Sequence, residues 1–283
     1  MIQNVLTEAV KKLPKSGSPR LDAEVLLCHT LAVNRSYLYT WPEKKLTANQ
    51  YNKFQTLLAK RIQGVPVAYL TGHKEFWSLD LQVTENTLIP RPETELLVEQ
   101  TLARLSPNSQ AQVVDLGTGS GAIALAIASE RPQCSILAID KFPATLSVAR
   151  NNAQRMHLSS IKFVVSDWWN AIGKLNATLI VSNPPYIAAT DPHLIQGDIK
   201  AEPRNALIAG MDGLTDIRQI IKTSLSHLEL QGWLLIEHGY DQANIVRELF
   251  KQSAYENIMT YRDLSGISRV TVGQQLKRLN SAF

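Results

Sequence analysis

Val113-Val114-Asp115-Leu116-Gly117-Thr118-Gly119-Ser120-Gly121-Ala122-Ile123-Ala124 reads as a buried strand, a glycine turn and the opening of a helix. Glycines at such a turn let the chain reverse tightly and let a ligand approach the backbone where a Cβ would stand in the way. Asp140 closes the next apolar strand, 19 residues after Gly121. An acid there can accept hydrogen bonds from both hydroxyls of a ribose. Gly117-x-Gly119-x-x-Ala122 also satisfies the relaxed dinucleotide fingerprint, so the loop alone predicts a nucleotide-like ligand and leaves its class open.

Working outward, strands and helices alternate. Gln112 to Leu116, Ser135 to Ile139, Ile161 to Ser166, Ala177 to Ser182, Gly232 to Glu237 and Ser268 to Val272 read as strands. Gly121 to Glu130, Pro143 to Met156, Leu214 to Leu225 and Gln242 to Gln252 read as helices, and one from Glu93 to about Leu105 leads in. That order predicts an α/β fold with a largely parallel sheet covered by helices on both faces. Glu75 to Val83 alternates at period two and predicts a strand or hairpin, which makes residues 65–90 a connector. The first 64 residues predict a small helical bundle: Val5, Leu6, Ala9, Val10 and Leu13 run at helical spacing up to Pro14. A second helix opens at Ser18-Pro19 with Leu21, Val25, Leu26 and Leu31 on one face. A third, from about Thr47, carries Tyr51, Phe54, Leu57, Leu58 and Ile62 and ends at Gly64. The domains expected are therefore 1–64, 65–90 and 91–283.

Composition narrows the class. Hydrophobic residues at 45% and charged residues at 19% allow a real core in 283 residues. The N-terminus lacks the unbroken apolar run of a signal peptide, and no stretch reaches the roughly 18 apolar residues of a membrane span. Two isolated cysteines, Cys28 and Cys134, make neither a disulfide framework nor a metal-ligand cluster, so no metal is expected and the reducing cytoplasm is. Residues 1–64 hold ten Lys and Arg against four Asp and Glu, while the remainder holds 19 against 21. The basic front half either steers an acidic partner or is simply a solvated lysine-rich surface.

Asn183-Pro184-Pro185-Tyr186 follows the apolar strand that ends at Ser182. A turn there stands over the crevice where open α/β sheets bind ligands. A planar amide or exocyclic amine is a poor nucleophile because its lone pair is delocalised. The Asn183 side-chain oxygen and the Pro184 carbonyl can each accept one of its N–H bonds, which fixes the nitrogen and favours positive charge on it. Pro184 and Pro185 stiffen the turn, and Tyr186 can stack on the planar group. Together with Asp115 and the tight Gly-x-Gly-x-Gly, this favours S-adenosylmethionine, a ligand without pyrophosphate, over a nicotinamide. The bland alternative is a proline-rich loop that merely ends a strand.

With both motifs in place the chain resembles the HemK/PrmC family, release-factor glutamine methyltransferases. The resemblance runs nearly end to end, through Tyr69 to Gly72, Glu75 to Trp77, Ile89 to Glu95, Ser166 to Trp168, Glu202-Pro203, Gly210 to Leu214 and Arg262 to Gly266. It implies a class I (Rossmann-like, seven-stranded) S-adenosylmethionine-dependent domain, a hairpin linker and an N-terminal helical domain that grips the protein substrate. The substrate implied is the glutamine of the Gly-Gly-Gln loop of peptide chain release factors, methylated at N5, with S-adenosylhomocysteine as the other product. Asp115, Gly117, Thr118, Gly119, Ser120, Gly121 and Asp140 would hold the cofactor, with Asp167 and Trp168 beside its adenine. Asn183, Pro184, Pro185 and Tyr186 would hold the glutamine, Asn183 also facing the cofactor.

Several residues stay open. Trp77 and Trp233 read as core, Trp169 is left unassigned, and the scattered histidines, His238 included, read as structural. Arg91 and Glu93 stand either at the pocket mouth or at the start of the next helix, and Glu202 either orders the loop beyond Tyr186 or touches substrate. A ribosomal-protein glutamine methyltransferase would share the site. A DNA adenine methyltransferase would share both motifs, but the chain lacks its strongly basic recognition face. Neither stable nucleic-acid binding nor membrane binding is expected.

Overall fold

The structure, a computed structural model, describes residues 1–14 and 16–277. They fall into two units, residues 1–73 with 192–202 and residues 74–191 with 203 onward. The first unit is helical: α1 (Ile2–Lys12), α2 (Pro19–Leu31), α3 (Arg35–Thr40), α4 (Ala48–Ile62) and α5 (Val67–Thr71). Helix α1 buries Ile2, Val5, Leu6 and Ala9, one face at helical spacing. Thr47 caps α4 with Gln50 in a reciprocal capping box, worth about 1 kcal/mol. Phe54 and Leu58 of α4 and Leu26 and Leu27 of α2 form the bundle core, each contributing roughly 1.5–3 kcal/mol by burial.

Two readings of faces are corrected here. Leu21, Tyr51 and Ile62 are exposed, while α2 turns Asp22 and Glu24 inward. Those acids are tolerated because they are paired. Arg61 Nε meets Asp22 at 2.8 Å, and Glu24 accepts from Arg35 at 2.7 Å and from the Tyr39 hydroxyl at 2.7 Å. Burial works against the Glu24 carboxylate, but these bonds and that of Arg20 hold its pKa below the ordinary value. Part of the basic surplus of this region is therefore internal pairing. The unit continues to His73, past residue 64, and includes residues 192–202, where Asp198 accepts from Arg61 at 2.6 Å.

The second unit begins at Lys74, within β1 (His73–Phe76), whose hairpin with β2 (Leu79–Gln82) leads on through α6 (Glu95–Leu102). Then come β3 (Gln112–Leu116), α7 (Ala122–Glu130), β4 (Ser135–Asp140), α8 (Pro143–Arg155), β5 (Ile161–Val165) and β6 (Ala177–Ser182). The unit closes with α9 (Thr215–Ser224), β7 (Leu228–Glu237), α10 (Ala243–Gln252), β8 (Glu256–Arg262) and β9 (Ser268–Gln274). The strands make one seven-stranded sheet in the order β5-β4-β3-β6-β7-β9-β8, parallel up to β7, with β9 antiparallel to both β7 and β8.

Alternate residues face opposite layers. Val113, Leu179, Val181 and Leu235 belong to one core, and Val114, Ile180, Leu234 and Ile236 to the other. Helix α7 is buried on every side, which its alanines and isoleucines permit. The chain builds outward from β3 to β4 and β5, then returns to place β6 on the other flank of β3. That reversal opens a crevice at the carboxyl ends of β3, β4 and β6. Strand β8 went unread because it is an edge strand with no fully buried residue, its Ile258 and Tyr261 only partly covered by the cores.

Candidate active site

The glycine turn lies at the carboxyl end of β3. Gly117, Gly119 and Gly121 have φ of +74°, +60° and +86°, conformations that favour glycine. Asp115 lies beneath the turn, fully buried; its Oδ2 accepts from the Thr118 hydroxyl at 2.6 Å and from the Ala124 N–H at 3.2 Å. Burial pushes its pKa up to about 7, and Oδ1 has no hydrogen-bond partner. The N–H groups of Gly117 and Thr118 both donate to the Ile139 carbonyl at 2.9 Å, locking the turn to β4. At Gly121 a Cβ would come within 3.0 Å of Leu125 and 3.2 Å of Ala149, so this glycine lets α7 and α8 approach. Asn152, on α8, donates from Nδ2 to the Ser120 carbonyl and to the Gln82 carbonyl, each at 3.0 Å, tying turn and hairpin together.

In front of the turn is a cavity of about 320 Å³. Asp140 faces it from the end of β4, its carboxylate held by the N–H groups of Gly119 and Phe142 at 3.0 Å each. Burial raises the Asp140 pKa. Asp167 pairs with Lys141 at 2.9 Å on the rim, and Trp168, at a left-handed φ of 50°, lies across Gly117, where an added Cβ would meet its ring at 3.3 Å. Around Gly119 an added Cβ would meet nothing within 4 Å. Open backbone, a carboxylate for a ribose and an indole for a purine are the parts a nucleoside ligand with an amino-acid tail needs, and they share one cavity.

The opposite wall is the turn after β6. Ser182 Oγ donates to the Leu116 carbonyl at 2.7 Å, which fixes β6 against β3 at the crevice. Asn183 lines the cavity and donates from Nδ2 to Thr94 Oγ1 at 3.1 Å. Pro185 lines it as well. Tyr186 is held from behind: Gln242 Nε2 donates to its carbonyl at 2.9 Å, and its hydroxyl points to Glu237 Oε1 at 3.4 Å. Burial raises the pKa of that phenol, and it stays protonated. A Cβ on Gly213 would stand 2.3 Å from the Tyr186 carbonyl oxygen, so only glycine lets residues 210–214 pass.

Comparison with known proteins agrees with this geometry. Residues 4–72 match the PrmC N-terminal domain model and residues 92–212 the methyltransferase small domain model. The chain is 47% identical over 272 residues to a release factor glutamine methyltransferase of Escherichia coli, covering 96% of this chain and 98% of that one. It is 49% identical over 263 residues to one of Pseudomonas aeruginosa, covering 93% and 95%. The chain belongs to the release factor glutamine methyltransferase family. It is an enzyme of the S-adenosylmethionine-dependent class. A methyltransferase structure from Pyrococcus furiosus, 15% identical, superposes with a TM-score of 0.55 over 79% of this chain and all of that one, a likeness of fold.

For a family member, the residues singled out from the sequence are distributed unevenly. Gly117, Thr118, Gly119, Ser120, Asp140, Asp167, Trp168, Asn183 and Pro185 line the cavity. Asp115, Gly121, Pro184 and Tyr186 are not among its lining residues: Asp115 holds the turn from below, Gly121 serves helix packing and Tyr186 faces inward. Arg91 lines the cavity and Glu93 does not; Glu202 is buried within residues 192–202 of the helical unit. Trp169 stacks on His227 at 4.0 Å and donates to Ser224 at 3.2 Å, a core role. His238 is buried between the Gly239 carbonyl and Thr271, as expected of a structural histidine. Missed altogether were Thr94, Asn152, Glu237 and Gln242. Thr94 lies in the Ile89 to Glu95 stretch but was given no role there, while Asn152, Glu237 and Gln242 lie in no quoted motif; all four act across a long stretch of chain.

Proposed function

We propose that this chain transfers a methyl group from S-adenosylmethionine to the side-chain amide nitrogen of the glutamine in the Gly-Gly-Gln loop of peptide chain release factors. The observation that carries the reading is the Asn183 side chain, which faces the cavity with its Nδ2 already committed to Thr94. Its Oδ1 is then the atom available to an incoming N–H, and the Pro184 carbonyl supplies a second acceptor. Two acceptors hold the amide in place and stabilise the positive charge that develops on nitrogen.

S-adenosylmethionine, once bound, supplies a methyl carbon on a sulfonium that is already a good leaving group. Gly117 to Ser120 and Asp140 would hold its amino-acid and ribose parts, and Asp167 and Trp168 its adenine. What the protein adds is chiefly alignment of nitrogen with methyl carbon and sulfur. No strong base is needed beforehand, because the nitrogen loses its proton after the methyl has arrived. The relatives named above are release factor glutamine methyltransferases, which supports the same substrate here. The helical unit is the part we assign to gripping the factor.

We place the enzyme in the cytoplasm, with no stable nucleic-acid partner; among the described residues no helix is long and apolar enough to cross a membrane. The test is transfer of labelled methyl to purified release factor and to a factor with the loop glutamine changed to alanine. Label on the first alone, lost with Asn183→Ala enzyme, supports the reading. Equal label on both factors contradicts it.

A further inference from the structure

Asn183 to Tyr186 is a turn short of backbone donors to hold it. Pro184 and Pro185 have no N–H, so two of its four residues offer nothing to a neighbouring carbonyl. The chain just beyond it is pinned by backbone pairing. The Ile187 N–H donates to the Leu207 carbonyl at 2.9 Å, and the Ala209 N–H donates to the Ile187 carbonyl at 3.0 Å. Between turn and pairing stands the Tyr186 carbonyl, and its donor comes from a side chain.

Gln242, buried at the start of α10, is that donor. Its Nε2 donates to the Tyr186 carbonyl at 2.9 Å and to the Gly213 carbonyl at 3.2 Å, while Oε1 accepts from the Gly239 N–H at 2.8 Å. The Gln242 N–H in turn donates to the Gly239 carbonyl at 3.1 Å, closing a tight loop around the side chain. These partners allow one orientation of the amide. Turned end for end, it would set its oxygen against two carbonyl oxygens and its N–H groups against an N–H. Gly213 completes the clamp, because a Cβ there would stand 2.3 Å from the Tyr186 carbonyl oxygen and 2.9 Å from Gln242 Nε2. Tyr186, Gly213 and Gln242 all lie outside the cavity lining, whereas Asn183 and Pro185 belong to it.

We propose that Gln242 is a positioning residue which, by drawing the Tyr186 carbonyl away from the cavity, sets the turn so that Asn183 meets the substrate amide. This role rests on the reading of Asn183 as the acceptor for that amide. Gln242 itself touches neither substrate nor cofactor.

The experiment compares wild type, Gln242→Met and Gln242→Glu for kcat and KM with release factor and for cofactor affinity by calorimetry, with folding checked by circular dichroism. Gln242→Met, of similar length but with no donor, should lower kcat roughly tenfold or more and leave cofactor affinity within about twofold, since the glycine turn and Asp140 are untouched. Gln242→Glu keeps the shape and the acceptor for Gly239, but it has a donor only when protonated. Burial beside two carbonyl oxygens raises the pKa of such a carboxyl group, so this variant should approach wild type near about pH 6 and trail it roughly tenfold or more near about pH 8.5. A side chain that merely fills space would give a wild-type-to-variant ratio that does not change with pH.

A second readout needs no reaction. Tyr-Ile occurs once in the chain, at Tyr186-Ile187, so carbon-13 at tyrosine carbonyls with nitrogen-15 in isoleucine gives a single correlated NMR signal. Its carbonyl shift should move in Gln242→Met, and should titrate by more in Gln242→Glu than in wild type. Wild-type kcat in Gln242→Met, a pH-independent ratio in Gln242→Glu or an unmoved carbonyl signal would overturn the proposal. If Gln242→Met does not fold, the pH comparison in Gln242→Glu carries the test. Wild-type enzyme that labels no release factor would sink the proposed reaction, while the carbonyl signal would still decide the clamp.

Discussion

The two loops that face the cavity each rest on a fully buried carboxyl group, Asp115 under the glycine turn and Glu237 under Asn183 to Tyr186. In both, burial pushes the pKa up to about 7, and in both one oxygen is bonded while the other has no partner. The difference is in reach. Asp115 bonds to Thr118 and Ala124, three and nine residues away, and so shapes its own loop. Glu237 accepts from the Tyr186 hydroxyl, 51 residues away, and so reaches a loop far from its own strand. A local acid makes a rigid cradle for a ligand that must be bound. A long-range acid ties the turn after β6 to the strand beside it.

The sharpest way to separate the two walls is to remove the group that faces the substrate amide. Asn183→Ala should reduce methyl transfer roughly 10²–10³-fold, the size of losing one preorganised partner of a developing charge, with cofactor binding by calorimetry retained. Similar losses of both would mean that the walls are not separable.

Glycines give the next contrast. Gly213→Ala, with its Cβ 2.3 Å from the Tyr186 carbonyl and a φ of +72°, should displace the turn and cost about 2–4 kcal/mol in denaturant unfolding. Its kcat should fall more than its cofactor affinity. Gly121→Val, crowding Leu125 and Ala149, should do the reverse. A Gly213→Ala enzyme with wild-type kcat would show that the close passage at Tyr186 is not needed.

The shared pKa shift predicts a pH effect of smaller size. Glu237 is protonated in both folded and unfolded chains below its ordinary pKa of 4.5, so there it costs nothing. As pH rises the unfolded chain ionises first, and stability falls until the folded group ionises near 7, after which the loss is constant. The full cost is about 3 kcal/mol, set chiefly by burial, with Glu93 adding to it and Thr94, Arg269 and Tyr186 offsetting part. Wild-type enzyme without cofactor should therefore lose more stability between about pH 5 and about pH 8 than Glu237→Gln does. Parallel pH curves would contradict the assigned shift. At the small end, Lys141→Ala removes an exposed pair with Asp167 and should change stability by less than about 1 kcal/mol, with the effect screened by salt.

Legibility from the sequence follows the same division. The glycine turn, Asp140 and Asn183 were readable because each sits where a strand pattern stops, and those ends are where an open parallel sheet binds ligands. The acid under the turn was readable as a residue but not as a role: Asp115 was expected on the ligand, yet its bonds go to its own loop. Tyr186 and Glu237 were not readable as a pair, since nothing in either segment specifies that residues 186 and 237 meet. Only the β6–β7 pairing brings them together. Strand β8 was lost for a simpler reason, having no buried side chain to mark it. In the helical unit the apolar spacing gave the helices, but pairing with Arg20, Arg35 and Arg61 turned acids inward and left Leu21 outside.

The central claim is that the methyl group goes to one amide nitrogen, and peptide mass spectrometry of release factor after reaction tests it most directly. The account predicts a single added methyl on the side chain of the Gly-Gly-Gln glutamine, absent with Asn183→Ala enzyme. A methyl on any other residue, or an unmodified factor beside an enzyme that binds S-adenosylmethionine, would contradict it.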